Sequence, residues 1–516
     1  MNLLLATLLN LIAFSAVFGD IPCAERHIPN ESVVCVCNSS YCDDITREVP
    51  SGTTYFFYTS SKDGLRFKKG SGDWAYNSSE PCCTTTLELF PNTTYQTIEG
   101  FGGAVTDSAA INYKSLSPVL QEYLLRSYFS KNGIEYNMLR VPIGGTDFST
   151  HTYAYNELPE NDTHLTNYTL APEDTMYKIP MIKSIMNIST APVHIVATTW
   201  SPPLWMKTRH EYGGFSRLKV EYYQTYADYH LKFIEKYDQS GIPVWGITTT
   251  NEPINGVFSF VKFNSLGWDL TEMGKWITNN LGPTIRNSKY KNIKIIAGDD
   301  QRITVYYWFN LMMKYYPKVL DYVDGIGVHY YTDKFVPAFV FETVTKTHPE
   351  KFILGTEACE GSAPWQLQKV ILGSWTRAKS YIEDILEDLN YNLVGWIDWN
   401  LCLDLKGGPN WEGNNVDSPI IVDKEKQEFV KQPMYYAMGH FSKFIPRGSL
   451  RIKVVEKKQL LSSSLRHVAF LTPKNTTVVV VYNNGQARSV NLKNGLKQNI
   501  LYLPAHSITT IEYANN

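Results

Sequence analysis

Short apolar runs alternate with amphipathic segments through the middle of the chain, and this alternation constrains the fold more than any other feature. Runs of this length are typical of buried strands, and helical periodicity appears between several of them, most clearly at 117–129, 217–237 and 366–389. Parallel strands joined by helices produce this order, and eight such units predict a (β/α)8 barrel, the TIM barrel. The eight runs are residues 97–105, 134–144, 192–200, 243–253, 293–301, 324–331, 352–357 and 393–400.

The chain changes character on both sides of this α/β segment. Residues 454–492 hold β-rich runs around an Asn-Asn-Gly turn and show no helical period, so they predict an all-β sandwich. Two runs before the barrel, 53–61 and 84–90, would complete that sandwich, because they otherwise lack a sheet. The predicted organisation is a signal peptide at 1–19, a small disulfide-bonded β domain at 20–47 with 401–432, a sandwich at 48–95 and 433–516, and the barrel at 96–400.

The start of the chain and its sequons predict a lumenal or secreted protein. About 16 apolar residues ending in small ones are typical of a signal peptide, here cleaved near Gly19. With 48 basic and 50 acidic residues and no long basic run, the chain lacks the electrostatic footprint of a nucleic-acid-binding protein. Eight Asn-x-Ser/Thr sequons agree with the lumenal interpretation: Asn30, Asn38, Asn77, Asn92, Asn161, Asn167, Asn187 and Asn475.

Four cysteines crowd the predicted mature N-terminus: Cys23, Cys35, Cys37 and Cys42. A short polar segment in an oxidising lumen needs disulfides, whereas a zinc site would need a second ligand cluster at suitable spacing, which "CVCNSSYC" does not have. The pairing of the other four, Cys82, Cys83, Cys359 and Cys402, stays open. Cys359 and Cys402 lie in apolar contexts, where a buried free thiol is the simplest interpretation.

Two of the eight runs end on a glutamate. Glu252 follows the fourth run in "VWGITTTNEPINGV", and Glu357 closes the seventh in "FILGTEACEG". Active sites of TIM barrels lie at the carboxyl ends of the strands, and two carboxylates aimed into one mouth are the minimum for glycoside hydrolysis. A single loop glutamate is most often merely solvated, so the pair carries the hypothesis. Polar and aromatic residues at other strand ends extend it to a sugar-binding site: Asp147, Trp200, Arg302, His329, Tyr331 and Trp399.

Other chemistries leave no motif in the chain. There is no H-E-x-x-H zinc motif, no G-x-S-x-G nucleophile elbow and no Walker A phosphate loop. The glycines of "GFGGAV" do not form G-x-G-x-x-G, and their smallness is better suited to close packing in the barrel. We therefore expect no metal and no organic cofactor.

Long strings spread over nearly the whole chain resemble glycoside hydrolase family 30. They include "EGFGGAVTDSAA", "NMLRVPIGGTDFS", "TTNEP", "GTEACEGS" and "GGPNWEGNNVDSPIIVD". The resemblance implies a retaining double displacement in which Glu252 is the acid/base and Glu357 the nucleophile. It also implies that Asn251 holds the glucose 2-hydroxyl. The residues implied to bind the rest of the sugar are Asp147, Trp200, Trp399 and Asn414. Those implied to orient the nucleophile are Arg140, His329 and Tyr331.

The same resemblance implies disulfides Cys23–Cys35 and Cys37–Cys42, and hydrolysis of glucosylceramide to glucose and ceramide in an acidic lumen. Implied partners are the substrate's membrane, an acidic phospholipid surface, a saposin-type activator protein and a lysosomal sorting receptor. Departures lie where the lipid would dock: Trp365 is kept, but Pro364, Tyr330 and Thr332 replace the residues that the family pattern favours. Two alternatives therefore remain, a secreted family-30 enzyme for another β-glucoside and a non-catalytic carbohydrate- or lipid-binding escort.

Overall fold

Eight parallel strands close into a barrel at the centre of the chain, as the sequence predicts. The computed structural model describes residues 20–76, 83, 85–458 and 465–515. The barrel closes where Gly395 of the last strand pairs with Gly100 of the first. Barrel strands 1 to 8 are Gly100–Ala104, Met138–Ile143, His194–Thr199, Gly246–Thr248, Lys294–Gln301, Gly325–His329, Phe352–Glu357 and Leu393–Asn400, and each lies within one predicted run.

Helices lie around the barrel and follow its strands. The prediction over 117–129 is met closely by Pro118–Phe129, which has proline at its first position. The helix predicted over 217–237 is present as Tyr223–Gln239, which starts six residues later, after a 3-10 turn at Val220–Tyr222. π-Helical turns at Glu173–Lys178, Ile277–Leu281 and Tyr306–Leu311 lie next to shorter helices. The helices are Asp107–Ser115, Pro118–Phe129, Ile179–Ile188, Tyr223–Gln239, Leu270–Trp276, Gly282–Arg286, Met312–Tyr315, Glu342–Thr345, Trp375–Asn390 and Pro433–Ser442.

The helix predicted over 366–389 begins nine residues later, at Trp375. Gly373 has φ +78°, in the left-handed region, which interrupts a right-handed helix. Its backbone also packs against the Ser32 carbonyl so closely that an added Cβ would lie 2.2 Å from that oxygen. The contact with the N-terminal segment, which helical periodicity cannot reveal, therefore sets where the helix starts.

The flanking segments form one ten-stranded antiparallel-rich sheet that folds into the predicted sandwich. Strand Thr85–Thr97 pairs antiparallel with Leu450–Lys458 and parallel with Arg488–Asn494, so both ends of the chain share the sheet. Tyr55 and Leu501, from opposite ends of the strand order, meet in one buried cluster. The remaining strands are Thr54–Ser61, Lys68–Asp73, Ala75–Tyr76, Arg466–Leu471, Thr476–Asn483, Lys497–Leu503 and Ser507–Ala514.

A five-stranded sheet joins the predicted N-terminal β segment to the stretch after the barrel. Its order is Glu25–His27, Val33–Asn38, Glu428–Lys431, Ile420–Asp423 and Leu403–Asp404. Disulfides Cys23–Cys35 and Cys37–Cys42 are present, which confirms the pairing that the resemblance implies. Cys359 and Cys402 are free and buried. Cys83 is disulfide-bonded, Cys82 lies outside the described residues, and the domain boundaries themselves stay predictions.

Two of the sequence predictions fall on residues that are not described, namely the signal peptide at 1–19 and the sequon at Asn77. The other seven sequon asparagines are all exposed, as glycan attachment requires. Across the described part of the chain, no helix has both the length and the apolar character that crossing a bilayer demands.

Side chains fill the barrel interior below its mouth. Met138, Val196, Ile296, Leu354 and Ile397 come from five barrel strands and pack into one buried cluster. Such layers of branched and unbranched apolar residues make the lower barrel a packed core. Inside the barrel, room for a ligand therefore lies toward the carboxyl ends of the strands.

Candidate active site

Glu252 and Glu357 lie side by side at the carboxyl ends of barrel strands 4 and 7. A carboxylate oxygen of one lies within 4.8 Å of a carboxylate oxygen of the other. Glu357 is the last residue of its strand, whereas Glu252 stands four residues beyond Thr248 and has φ +41°. Its N–H donates to the Asp299 carbonyl at 2.9 Å. This bond holds a sharp turn before Pro253, and the turn brings the Glu252 side chain back over the barrel mouth.

The Glu357 carboxylate accepts one donor on each oxygen. Arg140, fully buried on barrel strand 2, donates to Oε2, and the Tyr331 hydroxyl donates to Oε1 at 2.6 Å. The Arg140 guanidinium also lies 4.8 Å from the Trp200 ring centroid. Burial alone lowers the pKa of Arg140, but the neighbouring carboxylates outweigh burial and raise it. Glu357 is thus fixed in orientation beside a permanent positive charge.

Asp299 links Arg140 to His329. Its Oδ2 accepts from Arg140 Nη2 at 2.9 Å, and its Oδ1 lies 3.1 Å from His329 Nε2. Burial by itself raises the pKa of Asp299, but Arg140 and His329 hold it well below its usual range. Burial likewise lowers the pKa of His329, and the surrounding carboxylates outweigh it and raise that pKa to about 10. His329 is therefore a cation that donates from both ring nitrogens.

Three donors converge on Glu252. His329 Nδ1 lies 2.9 Å from Oε1, and Gln301 Nε2 donates to the same oxygen at 2.7 Å. The Asn255 amide donates to the other oxygen, Oε2. Both oxygens of Glu252 are thus held by hydrogen bonds, which fixes the side chain beside Glu357.

Polar and aromatic side chains adjoin the carboxylate pair. Trp200 and Trp399 stack with ring centroids 5.2 Å apart, and Asn251 accepts from Arg140 at 2.8 Å. Asn414 donates to the Asp147 carboxylate at 2.9 Å. Burial raises the pKa of Asp147 to about 7, although the Asn414 amide opposes the shift. A carboxylate has about four acceptor positions, so Asp147 keeps spare acceptor capacity, which suits it to bind the hydroxyl groups of a sugar.

Replacing Asp147 with the isosteric asparagine is expected to lower kcat/KM about 10- to 100-fold. The amide keeps the shape but replaces one acceptor oxygen with a donor NH2 group, so a buried sugar hydroxyl loses its acceptor, which costs roughly 1–3 kcal/mol. Asp238→Asn, on the outer helix Tyr223–Gln239, is the matched control, because it removes an exposed carboxylate far from the barrel mouth. Steady-state kinetics with unchanged melting temperatures would check this, and near-normal kcat/KM would remove Asp147 from the site.

Arg302 does not join the residues around the two glutamates. Its buried guanidinium pairs with Asp333 at 2.7 Å, with Asp388 at 2.6 Å and with Asp384 at 3.3 Å. The last two belong to helix Trp375–Asn390. Although Arg302 follows barrel strand 5 directly, its side chain turns outward to this helix. A residue's place at a strand end predicts which face of the barrel it lies on and leaves its side-chain direction open.

The structure adds three residues to the site that the sequence did not single out, namely Asp299, Gln301 and Asn255. The first two end barrel strand 5 in "GDDQ". The sequence could have indicated them, because strand 5, like strands 4 and 7, is an apolar run that ends on acidic residues. Asn255 had no such signal, because it lies in a loop after Pro253.

The Glu252, His329 and Glu357 ligand atoms lie close enough together to hold a metal ion. Their chemistry opposes it. Both His329 nitrogens face carboxylates as donors, so neither keeps the lone pair that a metal ligand requires. The Arg140 guanidinium already supplies positive charge to Glu357. This centre is suited to proton transfer and nucleophilic attack by its own carboxylates.

Comparison with known proteins places this geometry in a family. Residues 98–445 match the glycosyl hydrolase family 30 TIM-barrel domain, and residues 448–511 match the family 30 beta sandwich domain. The chain is 41% identical to the lysosomal acid glucosylceramidase of Mus musculus over 489 residues, which cover 93% of each chain. It is 40% identical to the putative glucosylceramidase 3 of Caenorhabditis elegans, over 93% of this chain and 92% of that one. The crystal structure of SrfJ from Salmonella typhimurium shares the fold, with a TM-score of 0.82, 24% identity, and coverage of 90% of this chain and 100% of the other.

Proposed function

Because the chain belongs to glycoside hydrolase family 30, we propose that it hydrolyses glucosylceramide to glucose and ceramide by a retaining double displacement. The observation that carries the proposal is the carboxylate pair, whose nearest oxygens are no more than 4.8 Å apart. Retaining glycosidases hold their carboxyl groups about 5–5.5 Å apart, whereas inverting enzymes need roughly 6.5–9.5 Å to admit a water. Direct attack by one of the two glutamates is therefore the step that this spacing favours.

Glu357 is the proposed nucleophile, because Arg140 and Tyr331 donate to its oxygens and stabilise its anionic form. It attacks the anomeric carbon, the bond to the aglycone oxygen breaks, and Glu252 gives that oxygen its proton. A glucosyl–Glu357 ester results. Glu252, now ionised, takes a proton from water, whose oxygen attacks the anomeric carbon, and release of Glu357 gives β-glucose.

The sugar contacts follow from groups already placed beside the carboxylate pair. The Asn251 oxygen is used by Arg140, so its amide N–H groups are the part that it offers to the glucose 2-hydroxyl. Asp147 accepts from hydroxyls farther round the ring, and Asn414 fixes its orientation. The stacked Trp200 and Trp399 supply the apolar surface against which the ring lies.

An apolar rim on the loops after barrel strands 4, 6 and 7 supports a lipid aglycone. Phe260 is 75% exposed and stacks on Phe258 at 5.2 Å, while Phe335 and Trp365, each more than 60% exposed, meet edge to face at 6.2 Å. Exposed aromatic side chains on three loops that follow barrel strands, on the side of the carboxylate pair, are suited to bind an apolar group. A glucoside that carries two hydrocarbon chains matches both surfaces, because its sugar would bind among the polar residues and its hydrocarbon chains would contact the apolar rim.

The proposed setting is the acidic lumen of the lysosome, with the enzyme acting at a membrane surface that carries acidic phospholipids. A named lysosomal relative and the exposed sequons support this setting. A saposin-type activator protein and a lysosomal sorting receptor belong to the same proposal, and secretion is its alternative.

A substrate panel tests the proposal. Purified enzyme is given glucosylceramide in vesicles with and without acidic phospholipid, short alkyl β-glucosides, and β-linked glucose oligomers. We expect glucosylceramide in acidic vesicles to have the highest kcat/KM, by about tenfold or more over the short alkyl glucosides. Faster turnover of the oligomers would favour a family-30 enzyme for another β-glucoside, and binding without any turnover would favour an escort.

A further inference from the structure

The two oxygens of Glu252 have different neighbours. Oε1 lies within hydrogen-bonding distance of His329 Nδ1 and Gln301 Nε2, both of them donors. Oε2 is bonded by the Asn255 side-chain amide. Among the residues that the structure describes, Glu252 is the hydrogen-bond partner of the Asn255 side chain. Its backbone N–H donates to the Glu252 carbonyl at 2.8 Å, which fixes the short turn that carries it.

These neighbours decide where a proton on Glu252 can sit. A carboxyl oxygen that faces two N–H donors cannot also carry a hydrogen, because three hydrogens would then crowd one oxygen. His329 is a cation and has no acceptor to offer, and the Gln301 amide already donates to Oε1. The transferable proton of the neutral acid therefore resides on Oε2, the oxygen beside Asn255.

An amide is suited to an oxygen that gains and loses a proton. Its NH2 group donates to an ionised Oε2, and after a half-turn about the side-chain bond its Oδ1 accepts from a protonated Oε2. A backbone N–H or a lysine could serve only the ionised form. Asn255 is the neighbour of Oε2 that can match both protonation states; Gln301 is also an amide, but it faces Oε1, to which His329 donates as well.

We propose that Asn255 is a positioning residue for the acid/base group, holding the proton of Glu252 on Oε2 and stabilising the carboxylate once that proton has left. In the first step the glycosidic bond breaks and its electron pair stays on the aglycone oxygen. That pair takes the proton from Oε2, so the Oε2–H bond breaks as the aglycone O–H bond forms. Oε2 is left anionic, and the Asn255 N–H donates to it. In the second step Oε2 takes a proton from water. This inference rests on the proposed role of Glu252.

Several charged or titratable groups also face Glu252 and shape its response to pH. They are His329 at the end of strand 6, Tyr331 just after it, Asp299 and Asp300 on strand 5, Glu357 at the end of strand 7, and Asp147 in the loop after strand 2. None of these changes in an Asn255 variant. A change in the pH profile of such a variant therefore reports the loss of the amide itself.

The test compares the pH dependence of kcat/KM in the wild type, Asn255→Ala and the isosteric Asn255→Asp. The Asn255 amide donates to the ionised acid/base group, so removing it destabilises the ionised form. In Asn255→Ala the alkaline limb, which is the fall of kcat/KM at high pH, should therefore move to higher pH by roughly half a unit. An added carboxylate in its place should move it further, by about one unit. With an alkyl glucoside, which needs proton donation, kcat/KM of Asn255→Ala should fall about tenfold. With the 2,4-dinitrophenyl glucoside it should change less than twofold.

Asn280→Ala, on the outer surface and bonded to Gln224, is the matched control and should keep the wild-type profile. An equal loss with both leaving groups and no movement of the alkaline limb would overturn the inference and leave Asn255 a structural residue. Glu252→Ala separates this inference from the proposed function. If Glu252 is not the acid/base, the Glu252→Ala variant keeps the fall of activity at high pH. If Glu252→Ala loses that fall while the Asn255 variants keep the wild-type profile, the role of Glu252 stands and the role proposed for Asn255 is refuted.

Discussion

Glu357→Gly is expected to abolish turnover, with kcat/KM falling by about 10^5-fold or more. The variant lacks the carboxylate that Arg140 and Tyr331 orient, so no ester with the sugar can form. Removing a nucleophile from a preorganised site costs losses of this size in other hydrolases. A 2-deoxy-2-fluoroglucoside should label the wild type once, on the peptide that contains Glu357, and should leave the variant unlabelled.

Glu342→Gln is a suitable control, since it removes an exposed glutamate that pairs with Lys346 on an outer helix. It should retain wild-type kcat/KM and take up one label. Proton NMR of the wild-type reaction should show β-glucose as the first product. Appearance of the α-anomer first, or a label on any other residue, would contradict the assignment of Glu357.

Glu252→Ala is expected to slow hydrolysis of alkyl glucosides by about 10^2- to 10^4-fold, the usual contribution of a general acid. With the 2,4-dinitrophenyl glucoside, the leaving group is 2,4-dinitrophenolate, which departs without needing a proton. The glucosyl ester should therefore still form and then accumulate. Azide is small enough to enter the space vacated by the side chain. It should attack the ester and give β-glucosyl azide, which gas or liquid chromatography and NMR would identify.

The contrast between the two variants makes this result specific. In Glu357→Gly azide would replace the nucleophile rather than the base and attack the β-glucoside directly, so its product should be the α-azide. If Glu252→Ala gave no azide product, or if both variants gave the same anomer, the division of roles between the two glutamates would be wrong.

The barrel and the position of the carboxylate pair could be predicted from the sequence, because both depend on local signals. Buried parallel strands leave short apolar runs, and a polar residue that ends such a run must lie at the mouth. Glu252 and Glu357 follow from this rule alone. Asp299 and Gln301 obey it too, so their omission reflects incomplete use of the pattern.

The rest depends on contacts between distant segments. Helix Trp375–Asn390 starts late because Gly373 meets Ser32, more than 300 positions away. Arg302 turns outward to acids on that same helix. The Glu252 side chain reaches its three donors because its backbone adopts φ +41°, a conformation that few non-glycine residues take and that no local preference announces. Hydrogen-bond networks of this kind become visible only when the chain is folded.

The shared sandwich also sets the order in which this protein can be made. Leu450 pairs with Thr97, and 450 − 97 = 353 residues separate them. Synthesis at about 5–20 residues per second leaves the strand Thr85–Thr97 without that partner for roughly 20–70 seconds. An unpaired strand edge invites association with other chains, so we expect the nascent protein to need chaperones during this interval. Substitutions in the last 70 residues should consequently reduce the amount of enzyme that leaves the site of synthesis while sparing the kcat of the molecules that do.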